Sequence, residues 1–357
     1  MKKILLITES LGSGGAERQM VGLAALLKLR GYDVTVVTYL KRQFYESYLH
    51  ERQVKYIFAP QLLRKSTRIY QLVKFFNHMK PDVVISYLPQ VNQSVCLSRL
   101  FTRFRLIVSE RSHTLHFDWR ARIRFYSYKI ADYIVTNSFS EAENIANHFF
   151  SLKHKIFAIP NFVDTKKFTP FDAVDKERST LNILTIGRVI EQKNVLRYIE
   201  AIAELRNEGY TFRCKWVGAM YDKEYVDSVM TCIKKNQIED LITFCGQTDD
   251  VISQYQEADI FCLPSLVEGY PNVLVEAMSC GLIVACSNVF ENPKIVSESI
   301  NGYLFNPEDK DSIKNALRKC LVLNENTRRN IGCHNRQQVI QNNSEEKFVE
   351  QYISLLS

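Results

Sequence analysis

Two glutamates, Glu268 and Glu276, lie eight positions apart where a short apolar strand is followed by a polar loop and a helix. Pro271 can occupy the first position of that helix, and Gly281 can end it. Because the helix would begin between the glutamates, a loop carboxylate and a helix carboxylate can reach the same cleft. Unpaired N–H groups of the helix start would lie beside both and would suit a phosphate. The stretch predicts a site for a ligand with hydroxyl groups at two ends and phosphates between them.

Two cations, Arg188 and Lys193, form a second candidate cluster. Arg188 ends a predicted strand over residues 181–188, and Lys193 precedes a predicted helix over about 194–208. Cations between a strand end and a helix start can clamp a diphosphate, and arginine can bind it with two hydrogen bonds. The alternative is a surface salt bridge to Glu191.

A glycine-rich turn over residues 11–19 follows the first predicted strand, residues 4–8, and leads into a helix. This order favours a nucleotide-binding α/β unit. A nicotinamide or flavin cofactor is disfavoured, because Glu17 stands where the third glycine of the dinucleotide fingerprint would fall. The next strand, residues 33–39, also ends without an acid for a ribose. Gly14 and Gly15 still permit close approach of a substrate to the backbone.

Strands and helices alternate along the chain, which predicts parallel sheets covered on both faces. Ligands of such sheets bind at the carboxyl ends of the strands. Residues 109–113 and 136–138 occupy two of those ends. A chain of 357 residues exceeds one ordinary core, so we expect two domains, with residues 165–180 as the linker and a helix at the carboxyl terminus.

Composition limits the class of protein. Hydrophobic residues make up 46% and charged residues 24% of the chain, values typical of a soluble globular protein. The apolar run near Met1 is short, which favours a first strand over a signal peptide or membrane span. Nine cysteines occur singly without a CxxC pair, so we expect reduced thiols in the cytoplasm rather than disulfides or zinc ligands. Asp309 and Asp311 fit the start of a helix better than a metal site.

Charge is distributed unevenly. Residues 1–165 carry 24 Lys and Arg against 12 Asp and Glu, a net charge of +12, whereas the remainder has a net charge of −5. An anionic partner is therefore expected at the amino-terminal half. Residues 99–125 there combine seven arginines with aromatic and aliphatic residues. Two interpretations stay open: a surface facing anionic lipid headgroups or a lipid diphosphate, or a solvated helix face over core aromatics. No recognised nucleic-acid motif accompanies the charge.

Four segments, in this order, resemble the family 4 glycosyltransferases of the GT-B fold across nearly the whole chain. They are residues 14–18 (Gly-Gly-Ala-Glu-Arg), 159–161 (Ile-Pro-Asn), 187–188 with 192–194 (Gly-Arg and Gln-Lys-Asn), and 268–278 from Glu-Gly-Tyr-Pro-Asn to Glu-Ala-Met. The resemblance implies an α/β fold of two Rossmann-like domains whose parallel sheets face a central cleft. Residues 1–165 would bind the acceptor and residues 166–344 the nucleotide sugar, with residues 345–357 packing across the domain boundary.

The resemblance also implies roles for individual residues. Glu276 would hold the ribose hydroxyls, Arg188 and Lys193 the diphosphate, and Glu268 the sugar hydroxyls. His113 loosely matches a histidine that some members place near the sugar, although a surface or core histidine is an equal alternative. Backbone groups along the sugar and phosphates would come from Gly269, Tyr270, Pro271, Asn272 and Val273, and Gly14 and Gly15 would face the donor across the cleft.

Family members retain the anomeric configuration and require neither a metal nor another cofactor, because basic side chains and a helix start stabilise the departing nucleoside diphosphate. In the same-face mechanism usually proposed for them, the leaving phosphate helps to take the acceptor proton, so no residue need be a general base. This chain departs from the family at residues 290–294, Phe-Glu-Asn-Pro-Lys, where relatives often have Gly-Gly-x-x-Glu.

The leading hypothesis is a bacterial glycosyltransferase for surface polysaccharide or glycan synthesis that retains anomeric configuration. It would move a hexose or N-acetylhexosamine from a UDP-sugar to a polyprenyl-diphosphate-linked glycan. It would act as a peripheral protein at the inner face of the cell membrane, docked on anionic lipid through its basic amino-terminal half. Alternatives are transfer to a soluble or protein acceptor, nucleotide-sugar epimerisation, or nucleotide-sugar binding without catalysis.

Overall fold

A computed structural model describes residues 1–171 and 180–356. The chain divides into two compact units, residues 1–162 with 345–357, and residues 163–344. The boundary lies after residue 162, three residues before the predicted one. The carboxyl-terminal segment belongs to the first unit.

The first unit is built on a parallel sheet of seven strands: β1 (Lys3–Ile7), β2 (Asp33–Thr38), β3 (Lys55–Phe58), β4 (Val83–Tyr87), β5 (Arg105–Glu110), β6 (Tyr133–Thr136) and β7 (Ile156–Ala158). Their order across the sheet is β3-β2-β1-β4-β5-β6-β7. The helices of this unit are α1 (Gly15–Leu29), α2 (Glu46–Glu51), α3 (Arg68–Met79), α4 (Pro89–Arg99), α5 (Trp119–Ser127) and α6 (Phe139–His148). The strand order reverses between β1 and β4. The carboxyl ends of strands at such a reversal form a ligand-binding crevice.

The second unit contains a parallel sheet of six strands: β8 (Leu181–Ile186), β9 (Phe212–Val217), β10 (Ile242–Phe244), β11 (Ile260–Leu263), β12 (Ile283–Ser287) and β13 (Gly302–Phe305). Their order is β10-β9-β8-β11-β12-β13, so the reversal lies between β8 and β11. Its helices are α7 (Val195–Asn207), α8 (Lys223–Lys235), α9 (Val251–Glu257), α10 (Asn272–Ser279), α11 (Asn292–Ile295), α12 (Lys310–Leu321) and α13 (Glu325–Asn343). The expected α/β class with parallel sheets is confirmed.

Strands near the middle of the two sheets are short and apolar because both faces of each sheet are covered. Every residue of β4, β11 and β12 is buried. Each fully buried aliphatic side chain contributes about 1.5–3 kcal/mol relative to an exposed one, so a continuous apolar run is stable only in such a position. Strand ends are therefore fixed rigidly, and the loops after them hold the polar side chains.

The last helix, α14 (Glu345–Ser354), packs within the first unit. Phe348 and Tyr352 are buried in a cluster that includes Phe162 of the same unit. Arg105 also donates a hydrogen bond to the carbonyl of Leu355 at 3.2 Å. These contacts fix the helix to the amino-terminal half of the chain.

The prediction that residues 165–180 form a linker is wrong for residues 165–168. Phe168 is buried in the core of the second unit, its carbonyl accepts a hydrogen bond from Ser279 at 2.7 Å, and Arg336 donates to the carbonyl of Thr165 at 3.1 Å. A side chain that reaches the core and two fixed carbonyls make this segment part of the unit. Residues 172–179 lie outside the described residues.

No helix in the described part of the chain is both long enough and apolar enough to cross a lipid bilayer.

Candidate functional site

Two loops at the carboxyl edge of the second sheet are joined to each other. They follow β8 and β11, which pair in parallel. Leu266 N–H donates to the carbonyl of Gln192, and the Gln192 side-chain amide donates to the carbonyl of Val267, both at 2.9 Å. Asn194, at φ 58° just before α7, donates to the carbonyl of Pro264 at 3.1 Å. These bonds make the two loops one support for the charged side chains they carry.

Lys193 and Glu268 form an ion pair across these loops. Lys193 Nζ lies 2.5 Å from Glu268 Oε1, and the two side chains are 16% and 11% exposed. The alternative predicted for Lys193, a salt bridge to Glu191, is wrong. A carboxylate can accept up to four hydrogen bonds and an ammonium can donate three, so both groups keep capacity for a ligand.

Arg188 lies at the end of the same edge, just beyond β8. Its side chain is exposed and forms no hydrogen bond or ion pair within residues 1–171 and 180–356. The backbone before it is fixed, because Gly187 N–H donates to Val217 and the Trp216 indole N–H donates to the Gly187 carbonyl at 2.8 Å. A fixed backbone with an uncommitted guanidinium is suited to binding an anion.

Glu276 lies on α10 and is 3% exposed. The Tyr255 hydroxyl donates to its Oε2 at 2.9 Å and lies 3.1 Å from the carbonyl of Val273. Tyr255 is on α9, and the sequence analysis did not identify it. The hydroxyl fixes the direction of the carboxylate, which positions its other oxygen.

The start of α10 differs in detail from the prediction. Pro271 is the residue before the helix rather than its first residue, and its carbonyl accepts from Leu274 and Val275 N–H. Asn272 N–H donates to the Tyr270 carbonyl at 3.0 Å.

The remaining predicted backbone positions divide into two kinds. The side chain of Tyr270 turns into the core of the unit, where Asn343 donates to its hydroxyl at 2.5 Å. The N–H groups of Gly269 and Val273 have no acceptor among the described residues. Gly269 and Val273 are therefore the predicted positions best able to donate to a ligand.

His113 follows β5 in the first unit and contacts a carboxylate. Its Nδ1 lies 2.8 Å from Oε2 of Glu141, a residue of α6 that is fully buried. Glu141 also accepts from Thr114 N–H at 3.1 Å, and its own N–H donates to Ser138, which caps α6. The sequence analysis missed Glu141, although Ser138 and Glu141 have the spacing of a capping box.

Glu110, the last residue of β5, is completely buried. Tyr128 donates a hydrogen bond to its Oε1, and Arg124 Nε lies 3.7 Å from the same oxygen. Burial raises the pKa of Glu110 above its ordinary value, and the neighbouring positive charge of Arg124 offsets this only in part. The polar groups at the carboxyl edge of the first sheet are thus largely hydrogen-bonded or ion-paired within the protein.

Gly14 and Gly15 lie at the start of α1, as the preceding residue and the first helical residue. A side chain at Gly14 would meet the carboxylate of Glu17. Burial raises the pKa of Glu17, and the positive charge of Arg42 acts in the opposite direction. The glycines therefore leave room for a carboxylate of the same loop.

Residues 290–294, where the chain departs from the family pattern, follow β12. Phe290 has φ 49°, a conformation that glycine adopts without strain. Asn292 begins α11 and donates to the carbonyl of Ser287 at 2.8 Å. Phe290 thus has the left-handed conformation that the glycine of the resembled pattern would adopt without strain, and Lys294 places a positive charge where that pattern has Glu.

The arginines of residues 99–125 are mostly engaged within the first unit. The members that donate hydrogen bonds to neighbouring side chains or carbonyls are Arg99, Arg105, Arg111, Arg122 and Arg124. Phe104 and Phe125 are buried, whereas Trp119 is 65% exposed. The second interpretation of this segment, with core aromatics, fits Phe104 and Phe125. The apolar side chains that stay exposed, as the first interpretation requires, are Leu100, Phe101, Leu115, Trp119 and Ile123.

Two family models match the chain over nearly its whole length. The model for glycosyl transferases of group 1 matches residues 169–338, and the model for Glycosyltransferase Family 4 matches residues 13–167. These matches cover the second and first units respectively.

Among curated relatives, the chain is 26% identical to an enzyme of Campylobacter jejuni over 100% of this chain and 99% of the relative. That enzyme is named as an α-1,4-N-acetyl-D-galactosaminyltransferase acting on a GalNAc-containing saccharide on PP-undecaprenol. The chain is 24% identical to the amylovoran biosynthesis glycosyltransferase AmsD of Erwinia amylovora, over 93% of each.

Solved structures show the same fold. A glycosyltransferase of Rickettsia africae superposes with a TM-score of 0.89 at 18% identity, covering 99% of this chain and 97% of that one. HepE of Anabaena, crystallised with UDP and glucose, superposes with a TM-score of 0.84 at 18% identity, covering 100% of this chain and 99% of that one. The fold is GT-B. Because the two family models together match residues 13–167 and 169–338, the chain belongs to the family 4 glycosyltransferases.

Proposed function

We propose that this glycosyltransferase transfers a hexose or N-acetylhexosamine from a UDP-sugar to a polyprenyl-diphosphate-linked glycan, with retention of anomeric configuration. The observation that carries the proposal is the charged group on the joined loops after β8 and β11. Arg188 is exposed and uncommitted, Lys193 and Glu268 are held 2.5 Å apart, and Glu276 is fixed by Tyr255. This set combines cations for a diphosphate with carboxylates for hydroxyl groups.

In the proposed reaction, the bond between the anomeric carbon and the β-phosphate oxygen breaks. A bond from the anomeric carbon to an acceptor hydroxyl oxygen forms on the same face, and the acceptor proton passes to the departing phosphate. Arg188 and Lys193 stabilise the charge that develops on that phosphate. Glu268 orients the sugar hydroxyls and Glu276 the ribose, without a metal. In the first unit, Glu141 holds His113, the residue that the family resemblance would assign to the sugar.

The donor and acceptor classes are drawn from relatives. The C. jejuni relative and an Escherichia coli relative, 31% identical over 46% of this chain, are both named for acceptors on diphospho-undecaprenol, and the latter for UDP-Gal. HepE of Anabaena was crystallised with UDP. A lipid-borne acceptor would require the chain to work at the inner face of the cell membrane, and the +12 charge of residues 1–165 supports contact with anionic lipid there.

The test is an assay of the purified chain with a panel of nucleotide sugars and a polyprenyl-diphosphate-linked acceptor in detergent. We expect transfer from a UDP-sugar in the presence of EDTA, with a product whose anomeric configuration, read by NMR, matches that of the donor. Absence of transfer and of hydrolysis with every donor would contradict the proposal. Binding of UDP without turnover would instead favour the non-catalytic alternative, and transfer to a water-soluble acceptor alone would favour a soluble one.

A further inference from the structure

Two segments at the carboxyl edge of the first sheet carry exposed cations. They comprise residues 41–44 after β2 and residues 63–70 after β3, the last three of which begin α3, and we call them the β2–β3 surface. The two strands pair in parallel with Thr38 opposite Phe58, and Ala59 N–H donates to the Thr38 carbonyl at 2.7 Å. Both loops therefore leave the sheet side by side.

A buried arginine fixes these loops to each other. The Arg68 guanidinium lies over the Tyr39 ring, 4.7 Å from its centroid, and donates to the carbonyls of Leu62 at 2.7 Å and Leu63 at 3.1 Å. The Tyr39 hydroxyl in turn donates to Glu9 at 3.2 Å. Arg68 and Tyr39 together thus join the loops after β1, β2 and β3. The exposed residues of these loops therefore rest on an ordered support.

The outward side chains of the β2–β3 surface are cationic. Lys41, Arg64 and Lys65 are exposed and form no ion pair among the described residues. Residues 52–81, which include Arg64 and Lys65, contain seven Lys and Arg and no Asp or Glu, whereas Glu9 and Glu46 lie close to Lys41 in structure or sequence. The positive potential is therefore least compensated around Arg64 and Lys65.

Large apolar side chains accompany the cations. Phe44 is 61% exposed, Leu63 50% and Tyr70 67%. A small soluble anion would be bound by the cations alone and would leave these side chains in water. A bilayer of anionic lipid takes both, because cations contact the headgroups while aromatic and aliphatic side chains enter the interface.

We infer that the β2–β3 surface docks this chain on an anionic membrane. The inference extends the proposed function, in which the acceptor is carried by a lipid. It also distinguishes this surface from residues 99–125, where five of seven arginines donate hydrogen bonds within the first unit. Vesicle binding requires no transfer reaction, so the inference and the proposed function can fail separately.

The test is co-sedimentation of the purified full chain with phosphatidylcholine vesicles that contain or lack phosphatidylglycerol. The test variant is Lys41→Gln with Arg64→Gln and Lys65→Gln. Its matched control is Arg103→Gln with Arg120→Gln and Lys129→Gln, which removes three exposed cations elsewhere in the same unit. We expect the wild type to bind only the anionic vesicles at low salt, the test variant to bind about 100-fold more weakly, and the control to bind within about threefold of the wild type.

A second variant, Phe44→Ser with Leu63→Ser, probes the apolar contribution on the anionic vesicles at the same low salt. We expect it to bind about tenfold more weakly than the wild type, because only the cations then contact the membrane. All substituted side chains are exposed, so the melting temperatures should match that of the wild type. The inference is overturned if the wild type does not bind anionic vesicles, if the control loses as much binding as the test variant, or if the serine variant binds as tightly as the wild type. Intact vesicle binding by a chain that transfers no sugar would contradict only the proposed function.

Discussion

The carboxyl edges of the two parallel sheets are built alike and used differently. In the second unit, the loops after β8 and β11 leave Arg188 exposed and hold Lys193 and Glu268 together near the surface. In the first unit, Glu110 and Glu141 are fully buried; Glu110 accepts from Tyr128 beside Arg124, and Glu141 contacts His113 and accepts from Thr114 N–H.

The difference shows which charged groups stabilise the fold and which remain able to bind a ligand. A buried carboxylate needs partners from the protein, because an unmatched one is destabilised by several kcal/mol. The first unit supplies those partners and then presents cations and apolar side chains on its outer loops. The second unit keeps hydrogen-bonding capacity at its edge, which is what a polar donor requires.

Among the substitutions that test this comparison, Arg188→Ala should have the largest effect, on turnover. Because a guanidinium that stabilises a departing phosphate acts mainly in the transition state, we expect turnover to fall about 100-fold or more, with a smaller change in UDP affinity. Steady-state kinetics and calorimetric titration with UDP measure the two effects. The control is Arg213→Ala, an exposed arginine on β9, and equal losses in both variants would remove the assignment of Arg188.

Gly218→Ala tests how closely the backbones must approach at this edge. Gly218 has φ 155°, and a side chain there would overlap the backbone of Gly187, just before Arg188. We expect the free energy of unfolding to fall by about 3 kcal/mol, measured by urea denaturation. Gly246→Ala is the control, since its φ is 68° but no atom lies near, and it should lose only about 1 kcal/mol. Similar losses in the two variants would contradict the close approach.

Glu276→Gln tests whether the carboxylate held by Tyr255 binds the nucleotide. Loss of the charge should weaken UDP binding about tenfold, because a hydrogen bond to a charged group contributes about 1.5–3 kcal/mol. Calorimetric titration with UDP measures it. The exposed Glu257, paired with Lys215, supplies the control Glu257→Gln, which should bind UDP normally. Wild-type affinity in Glu276→Gln would place the ribose elsewhere.

Glu110→Gln tests how a buried carboxyl group of the first unit contributes to the pH dependence of stability. Burial raises the pKa of Glu110 in the folded chain, so the folded state holds this proton more tightly than the unfolded state. Stability contributed by the protonated carboxyl is present below the unfolded pKa of about 4.3 and is lost as pH rises through the folded pKa.

Glutamine cannot ionise, so the melting temperature of Glu110→Gln relative to wild type should increase between about pH 4 and pH 7. Thermal denaturation at several pH values measures the difference. A difference that stays constant with pH would show that Glu110 does not titrate in this range.

Much of the fold followed from local sequence patterns. Strand β2 spans Asp33–Thr38 where a strand over residues 33–39 was predicted, and α7 spans Val195–Asn207 where a helix over about 194–208 was predicted, because apolar spacing and turn residues are local signals. Strand β7 and strand β13 were not predicted. They contain three and four residues, and such short runs carry little periodicity.

The site residues divide in the same way. Glu268, Glu276, Arg188 and Lys193 are identifiable because each adjoins a strand end or helix start, and the chain itself marks those places. Tyr255 and Glu141 were missed because their partners lie 21 and 28 residues away in sequence. Only tertiary packing brings α9 to α10 and α6 to the loop after β5.

The sequence by itself determined the family, the parallel α/β architecture and the charged residues available at the strand ends, since residue type and spacing act over short distances. Only the tertiary structure decided which charged side chains are paired within the protein. Hydrogen bonds and burial between distant segments pair Lys193 with Glu268 rather than Glu191 and engage most of the arginines of residues 99–125. They leave Arg188, Lys41, Arg64 and Lys65 exposed and without an ion pair among the described residues.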